Sequence, residues 1–543
     1  MSSVTTPVRC LLVRPAFSGQ TFYSMEEVCR VVGAKAAAPP LGLLAFAALL
    51  PREWRLRLAD GSVAPLSDSD LAWADLVAIS GLAPHQRETL DVIERAHAFD
   101  KRVIVGGPGP TMHPDAYAAA DYVCTGDVEV IAAQLVADIR AGVPRGTYHA
   151  TARSDLGSHP VPRYDLAHLA DYAFVGMQFT RGCPFTCEFC CQIGTDGNAP
   201  SAKAPDQILR ELQCLYDLGY RGIIDIGYDN FIGNRARALE MLRAIVDWQQ
   251  RHGYPFCFGT EATVNLARQA DTLALMRDAD FRFVFFGIES PDAAVLERTR
   301  KNQNVAVSAV EAARAFHSHG MIVYGSLILG FDGETGRTVD NMIDLVQRSG
   351  IFPTLIMPLH AFPKTQLYVR LAREHRLFDR SRQRSPAHRM HDLATTGLNF
   401  ATDRPRTEIL GDLSRLLRTV YDPRRHAERV MRVSAQLRPS GRHQRPLRER
   451  LELAFGFTRF ALAQTFRRGG GTFWGTLARV ALTNPGALEA AAGLAVLRAG
   501  YAEQSRHYVG ALERELARLD GIGEQSHVAA MLARPGSTAT MSR

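Results

Sequence analysis

The stretch Arg181-Gly-Cys-Pro-Phe-Thr-Cys-Glu-Phe-Cys190 spaces Cys183, Cys187 and Cys190 as C-x3-C-x2-C. Soft thiolates suit iron–sulfur chemistry, and three on one short loop can take three irons of a [4Fe–4S] cluster. Such a cluster normally has four cysteine ligands, so this spacing leaves one iron open for a chelating ligand. A zinc site and a fragment of a ferredoxin are the competing readings. Zinc usually wants four nitrogen or sulfur ligands, often as two C-x2-C pairs, and no second pair exists here. Cys191 follows directly and reads as a passive neighbour. The preceding Phe174-Val-Gly-Met-Gln-Phe-Thr180 reads as a buried strand, so the loop sits at a strand's carboxyl end, where α/β folds place their chemistry.

Working outward, the strand pattern continues on both sides. On the N-terminal side, strands are expected at Arg9–Arg14, Trp54–Leu58, Leu76–Ile79, Val103–Val105 and Tyr122–Cys124. Helices are expected at Leu41–Leu50, Pro84–Phe99 and Val128–Arg140. This alternation implies a parallel sheet with helices on both faces, a Rossmann-like domain over residues 1–143. Its turns, Ser80-Gly81, Gly106-Gly107-Pro108-Gly109-Pro110 and Gly126-Asp-Val-Glu129, line one edge, the usual ligand crevice of such a sheet. The glycine loop lacks the G-x-G-x-x-G order, so a dinucleotide site is a poor reading. Residues 144–172, marked by Pro144, Gly146, Gly157, Pro160 and Pro162, read as a linker. On the C-terminal side, strands at 174–180, 223–228, 256–261, 282–288, 321–329 and 354–359, with helices between them, predict a partial (β/α)6 barrel over 173–380.

The cysteine loop, with the aromatic Phe189 before its last cysteine, resembles the signature of the radical S-adenosylmethionine (SAM) superfamily. In that family the open iron binds the amino and carboxylate groups of SAM, and reductive cleavage gives a 5′-deoxyadenosyl radical. Tyr228-Asp229-Asn230, Glu261, Gly287-Ile-Glu289-Ser290 and the Gly325 to Gly330 strand with Glu334 resemble, in order, the family's SAM-binding strand ends. The resemblance therefore implies SAM contacts at Phe189, Tyr228, Asp229, Asn230, Glu261, Glu289, Gly325 and Gly330. The N-terminal domain resembles the cobalamin-binding domain of cobalamin-dependent members. This implies that Ser80, Gly81, Gly106, Gly107, Pro108, Gly109, Gly126 and Glu129 line a cobalamin site. The Asp-x-His-x-x-Gly motif that supplies a cobalt-ligating histidine in many other cobalamin proteins is missing, so the implied form has no protein histidine on cobalt. Finer matches, including Leu359-His-Ala-Phe-Pro-Lys-Thr365, resemble a subgroup that contains hopanoid C-2 methylases and bacteriochlorophyll side-chain methylases. The subgroup's Gly-Thr-Pro-Leu appears here as Lys364-Thr-Gln-Leu367, a departure near the expected substrate loop.

The resemblance implies methyl transfer to an unactivated carbon of a lipid, tetrapyrrole or secondary metabolite, with flavodoxin or ferredoxin as electron donor. Non-methylating radical chemistry (cyclisation, rearrangement or aminocarboxypropyl transfer) and a cluster-bearing sensor are the alternatives. Tyr228, Tyr324 and His360 lie near expected barrel-mouth ends. The 543 residues suffice for roughly three domains. Nine scattered cysteines, three of them on one loop, are no disulfide framework, and an oxygen-sensitive cluster argues for a reducing cytoplasm. No signal peptide or spanning helix is read. The net charge of +7 comes largely from arginines after residue 370, such as Arg424-Arg425 and Arg442 to Arg450, interspersed with acids and apolar residues as on solvated helix faces. That pattern disfavours nucleic acid and leaves peripheral contact with anionic lipid, or with a phosphorylated substrate, open. Beyond residue 380 the alternation stops. A helical domain is expected over 381–520, with helices at 405–420, 446–466, 474–500 (broken by Asn484-Pro485) and 502–519, followed by a disordered tail over 521–543.

Overall fold

The structure, a computed structural model, describes residues 7–16, 25–82, 85–195, 197–227, 230–379, 397–467 and 469–532. It divides into two compact units, 1–181 with 201–226, and 182–200 with 227–543.

In the first unit, β1 (Arg9–Arg14), β2 (Arg55–Asp60), β3 (Leu76–Ser80), β4 (Arg102–Gly106), β5 (Tyr122–Thr125) and β6 (Gly146–His149) form one sheet in the order β2-β1-β3-β4-β5-β6. Every pairing is parallel. The strands read as apolar runs because both faces are covered. Alternate side chains (Leu12, Ala78, Ile104, Cys124) pack under α1 (Leu41–Leu49), while Leu11, Val13, Ile79 and Val105 pack on the other face under α2 (Gln86–Ala98). Pro39-Pro40 precede α1, and α3 (Val128–Arg140) adds Ile131, Leu135 and Ile139 to the first core. The order reverses between β1 and β3, the switch point at which doubly wound sheets bind ligands.

The expected boundary at residue 143 shifts. β6 lies inside the expected linker and extends the sheet beside β5. The remaining linker is anchored rather than loose. Tyr164 and Leu156 are fully buried, and the Tyr172 hydroxyl donates to Asp60 Oδ2 (2.8 Å). The Arg14 guanidinium also holds Asp60, with Nε 2.7 Å from Oδ1.

The first unit also holds β7 (Val175–Gln178), β8 (Thr180–Arg181), β9 (Ser201–Ala202), α4 (Pro205–Asp217) and β10 (Ile223–Gly227). β7 neighbours β10, and β8 pairs antiparallel with β9, Thr180 opposite Ala202. The second unit carries α5 (Arg235–His252), β11 (Cys257–Glu261), α6 (Ala270–Asp278), β12 (Phe281–Glu289), α7 (Ala309–Ser318), β13 (Ile322–Leu329), α8 (Thr338–Ser349) and β14 (Thr354–Pro358). β11 to β14 are parallel and adjacent in chain order. The six expected strand–helix repeats are thus all present along the chain.

The C-terminal helices are α9 (Arg406–Val420), α10 (Pro423–Gln436), α11 (Leu447–Thr465), α12 (Gly470–Thr483), α13 (Leu488–Ile522) and α14 (Glu524–Met531). Three expectations change. α10, unmarked in the sequence reading, is capped by Asp422, whose carboxylate accepts from the Arg424 and Arg425 amides. The break at Asn484-Pro485 is real, with Asn484 Nδ2 donating to the Ser434 carbonyl (2.7 Å), but the helix then runs unbroken through Gly500. Stacking of Tyr501 on Tyr421 (6.3 Å) supports that continuity against glycine's weak helix propensity. The tail expected to be disordered from Gly521 is helical through Met531, and the Asp379 amide donates to the Met531 carbonyl (2.7 Å). The polar connector Arg380 to His391 and residues 533–543 lie outside the described residues. The arginine excess is also less superficial than expected. Arg429 is buried over the Phe352 ring (5.5 Å) and donates to Gln347 Oε1 (3.1 Å). Among the described residues no helix is long and apolar enough to cross a membrane.

Gly107 shows how tight the ligand edge of the first sheet is. Its φ is +98°, and a Cβ there would lie 2.6 Å from Ser80 Oγ. Gly107→Ala is expected to lower the thermal unfolding midpoint by the equivalent of about 1–3 kcal/mol, measurable by calorimetry.

Candidate functional site

The cysteine loop begins two residues after β8 and belongs to the second unit. Gly182, at φ +86°, turns the chain into it, and the Cys183 amide donates to the Gly197 carbonyl (3.3 Å). Cys187 is buried; Cys183 and Cys190 are half-buried. Two amides reach the sulfurs. Asn230 Nδ2 lies 3.8 Å from Cys183 Sγ, and Gln303 Nε2 lies 3.4 Å from Cys187 Sγ. Asn230 is itself fully buried and also accepts from Thr263 Oγ1 (3.5 Å). Burial pushes the Cys190 thiol up to about 12, and neighbouring Cys191 adds to the shift. A metal ion in place of the proton relieves that penalty. Among the described residues, no three His, Cys, Asp or Glu side chains converge on a single-ion site. A [4Fe–4S] cluster does not need such convergence, because each thiolate takes its own iron. Amide donors aimed at two of the sulfurs fit an anionic thiolate cluster, where hydrogen bonds to sulfur stabilise added negative charge.

Glu289 ends β12 at φ +66°, a left-handed conformation rare outside glycine, just past a register shift between Gly287 and Glu289. Its buried carboxylate accepts from Lys301 Nζ (2.7 Å) and Ser326 Oγ (3.0 Å). Gly287 makes the arrangement sterically feasible, since a Cβ there would meet Glu289 Oε1 at 2.0 Å. Burial works against the Lys301 ammonium, but Glu289 and then the Cys187 thiolate outweigh it and raise its pKa. Lys301 also sits 5.6 Å from the Phe189 ring centroid, and Phe189 packs edge-on against Phe331 (5.3 Å). Phe331 follows Gly330, whose φ is +109° and whose amide donates to Glu334 Oε2 (3.0 Å).

The loop is clamped from behind. The Glu188 amide donates to the Thr299 carbonyl (3.0 Å), and the Leu367 amide donates to the Glu188 carbonyl (2.8 Å). Arg370 grips the Glu188 carboxylate with two nitrogens (2.9 and 3.1 Å) and reaches Asp332 (2.8 Å). Glu261 ends β11, where its carbonyl accepts from the Phe231 amide (2.9 Å). Gly325 sits within β13, and Ile288 and Ile351 fill the space a side chain would take (2.9 and 3.0 Å), so packing alone accounts for that glycine. Tyr228 and Asp229 lie outside the described residues. Tyr324 stacks on Phe283 (5.3 Å), and His360 Nδ1 bonds the Gly397 carbonyl (2.7 Å). Lys364, where the resembled subgroup has glycine, keeps φ +67°, so the turn survives the departure.

At the ligand edge of the first unit, Ser80, Gly81, Gly106, Gly107, Pro108, Gly109 and Gly126 end or follow β3, β4 and β5 and lie close together. The Gly109 amide meets the Gly81 carbonyl (3.4 Å), and Thr111 Oγ1 bonds both the Gly107 carbonyl (2.8 Å) and the Gly126 amide (3.0 Å). Glu129 follows Gly126 by three residues, in the first turn of α3. Its carboxylate is engaged by Arg181 Nη2 (3.3 Å) and His159 Nδ1 (3.3 Å), an ionic role rather than an open one. Arg181 Nη1 also pairs with Asp127 (2.9 Å).

A model of the radical SAM superfamily matches residues 177–346, and one of a domain of unknown function matches 365–513. An uncharacterised methyltransferase of Synechocystis sp. is 37% identical over 432 residues, covering 79% of this chain and 79% of that one. The hopanoid C-2 methylase of Rhodopseudomonas palustris is 37% identical over 377 residues, 68% of this chain and 71% of its own. The chain belongs to the radical SAM superfamily. The fold agrees: the structure of the cobalamin-dependent SAM radical enzyme OxsB with aqua-cobalamin bound matches with a TM-score of 0.58 at 12% identity, over 96% of this chain and 83% of that one.

Four residues of this radical SAM site escaped the sequence reading: Glu188, Lys301, Gln303 and Arg370. Lys301 and Gln303 follow the Glu289 strand end by little more than ten residues, a spacing with no periodic signal. Gln303→Leu removes a donor to Cys187. Lys301→Met removes a cation that favours the reduced, more negative cluster. Both are expected to make the cluster potential more negative in an EPR-monitored titration, and Lys301→Met should also cost about 3–5 kcal/mol by leaving Glu289 buried and unpaired.

Glu334 supplies a pH test. Burial, only partly offset by the Gly330 and Phe331 amides, pushes its carboxyl up to about 7. The folded state therefore holds a proton that the unfolded state releases near its ordinary value, so stability falls as pH rises between about 4.5 and about 7. Glu334→Gln is expected to abolish that decline, worth up to roughly 1.4 kcal/mol per pH unit, in denaturant titrations across this range.

Proposed function

We propose that the protein is a cobalamin-dependent radical SAM methyltransferase that places a methyl group on an unactivated carbon of a small molecule. The observation that carries this reading is the C-x3-C-x2-C loop, with buried amides of Asn230 and Gln303 directed at its sulfurs, in a chain 37% identical to hopanoid C-2 methylase. That similarity favours a polycyclic lipid as substrate; a flavodoxin or ferredoxin is the electron source in this proposal.

Cys183, Cys187 and Cys190 would hold three irons and leave the fourth for the amino and carboxylate groups of SAM. When bound, the cluster, SAM and cobalamin supply the radical and the methyl group. The protein's part is placement and exclusion of water. Asn230 and Gln303 take up charge at the sulfurs. Lys301, fixed by Glu289, holds a positive charge beside the loop. Two of the carboxylate lone-pair directions of Glu289 are used by Lys301 and Ser326, so the group retains capacity to accept from ribose hydroxyls. Glu261, Phe189 and Gly330 complete the SAM surface in this reading. In the first unit, the loops at Ser80-Gly81, Gly106 to Gly109 and Gly126 present backbone and small side chains at the carboxyl edge of the sheet, which suits close approach of a flat macrocycle. Glu129 supports that edge through Arg181.

Anaerobic incubation of the reconstituted protein with methyl-labelled SAM, cobalamin and a reductant tests the reading. Formation of 5′-deoxyadenosine and S-adenosylhomocysteine, with label on protein-bound cobalamin, is the expected result. Deoxyadenosine without cobalamin labelling would sink methyl transfer and favour the non-methylating alternative. Alanine at Cys183, Cys187 or Cys190 should abolish the cluster's visible absorption, whereas Cys191→Ala should keep about four irons per chain.

A further inference from the structure

Seven of the thirteen large apolar side chains left exposed among the described residues lie between Leu447 and Leu482. Five belong to α11 and its cap: Leu447 (70% exposed), Leu451, Phe455 (66%), Leu462 and Phe466 (89%). Their spacing of four, four, seven and four residues sets them on one face of the helix. The opposite face accounts for how α11 is attached. Phe460 and Ala461 are buried, and Phe457 and Phe460 pack against Phe473 of α12 (6.5 and 6.0 Å). α12 continues the pattern with Trp474 and Leu482, eight residues apart and both exposed. The Trp474 indole N–H donates to Thr465 Oγ1 (2.9 Å), which ties it to the end of α11.

Charge borders this surface with one sign in excess. From Leu447 to Thr483 the chain has six arginines and two glutamates, and no lysine or aspartate. Arg448 is almost wholly exposed, and Arg459 lies over the exposed Phe455 ring (5.8 Å). A soluble helix that leaves Leu, Phe and Trp in water and flanks them with arginine has the composition of a helix that lies in a membrane interface, apolar face down and cations at the headgroups. The absence of a spanning helix among the described residues restricts the contact to the surface.

We propose that the exposed face of α11, with Trp474 and Leu482 of α12, docks the protein on an anionic lipid bilayer. The assignment is to a bilayer rather than to a second copy of the chain because the apolar stripe is bordered by arginines, which complement anionic headgroups but would repel the same arginines across a two-fold interface.

Flotation of the full-length, cluster-loaded protein with vesicles tests this. Equimolar phosphatidylcholine–phosphatidylglycerol vesicles should carry the wild type, and phosphatidylcholine alone should carry much less. Phe455→Glu combined with Phe466→Glu should weaken binding by roughly tenfold or more, and Arg448→Gln with Arg459→Gln should weaken it and reduce its salt dependence. All four side chains are exposed, so thermal midpoints should match the wild type. Wild-type protein that stays unbound to anionic vesicles, or a Phe455/Phe466 variant that binds like wild type, would overturn the proposal. A dimer in sedimentation velocity that the phenylalanine substitutions dissociate, without vesicle binding, would assign the face to a second copy instead.

Discussion

Three thiolates brought onto one short, half-buried loop pose an electrostatic problem, and the second unit is organised around it. A buried anion without partners costs several kcal/mol, so its charge must be met by donors or a counter-charge. Asn230 and Gln303 meet two of the sulfurs, and Lys301 brings a cation close enough for Cys187 to raise its pKa. That lysine is itself buried, and Glu289 balances it. The left-handed conformation of Glu289 and the missing side chain at Gly287 follow from the same requirement, because the carboxylate has to turn back over the strand end to reach Lys301. Strain here is coupled to charge, as at many functional sites.

The loop is also held mechanically, by groups remote in sequence. Glu188, between two of the cysteines, is bonded through its amide, its carbonyl and its carboxylate to Thr299, Leu367 and Arg370. Arg370 and Arg376 then share Asp332, two residues past Gly330. Cluster loop, glycine turn and the helix Gln366–Arg373 are therefore joined in one network of bonds. A comparable lattice in the first unit joins Arg181, the residue two before Cys183, to Asp127 and Glu129 after β5. Arg181 and the segment that follows β5 are thus tied by charge within the first unit.

The strands were legible because parallel strands buried on both faces are continuous apolar runs punctuated by glycine, and α3 was read to the residue from its period. β6 was missed because Gly146-Thr-Tyr-His149 is short, half-exposed and polar, an edge strand that only its neighbour β5 defines. α10 was missed because its arginines dilute the apolar period; Arg429 counts as polar in the sequence yet is buried against Phe352. The single long α13 went unread because Gly500 suggests an end, whereas the helix continues with Tyr501 stacked on Tyr421.

The amino-acid sequence by itself determined the cluster loop, the two α/β segments and the ordered set of strand-end residues, because cysteine spacing and apolar periodicity are local properties of the chain. Only the tertiary structure decided which polar side chains serve that loop. Lys301, Gln303 and Arg370 lie more than a hundred residues from the cysteines they support, and Glu129 pairs with Arg181, fifty-two residues on. Such assignments depend on which buried charges meet when distant segments pack, and no local pattern in the chain encodes that meeting.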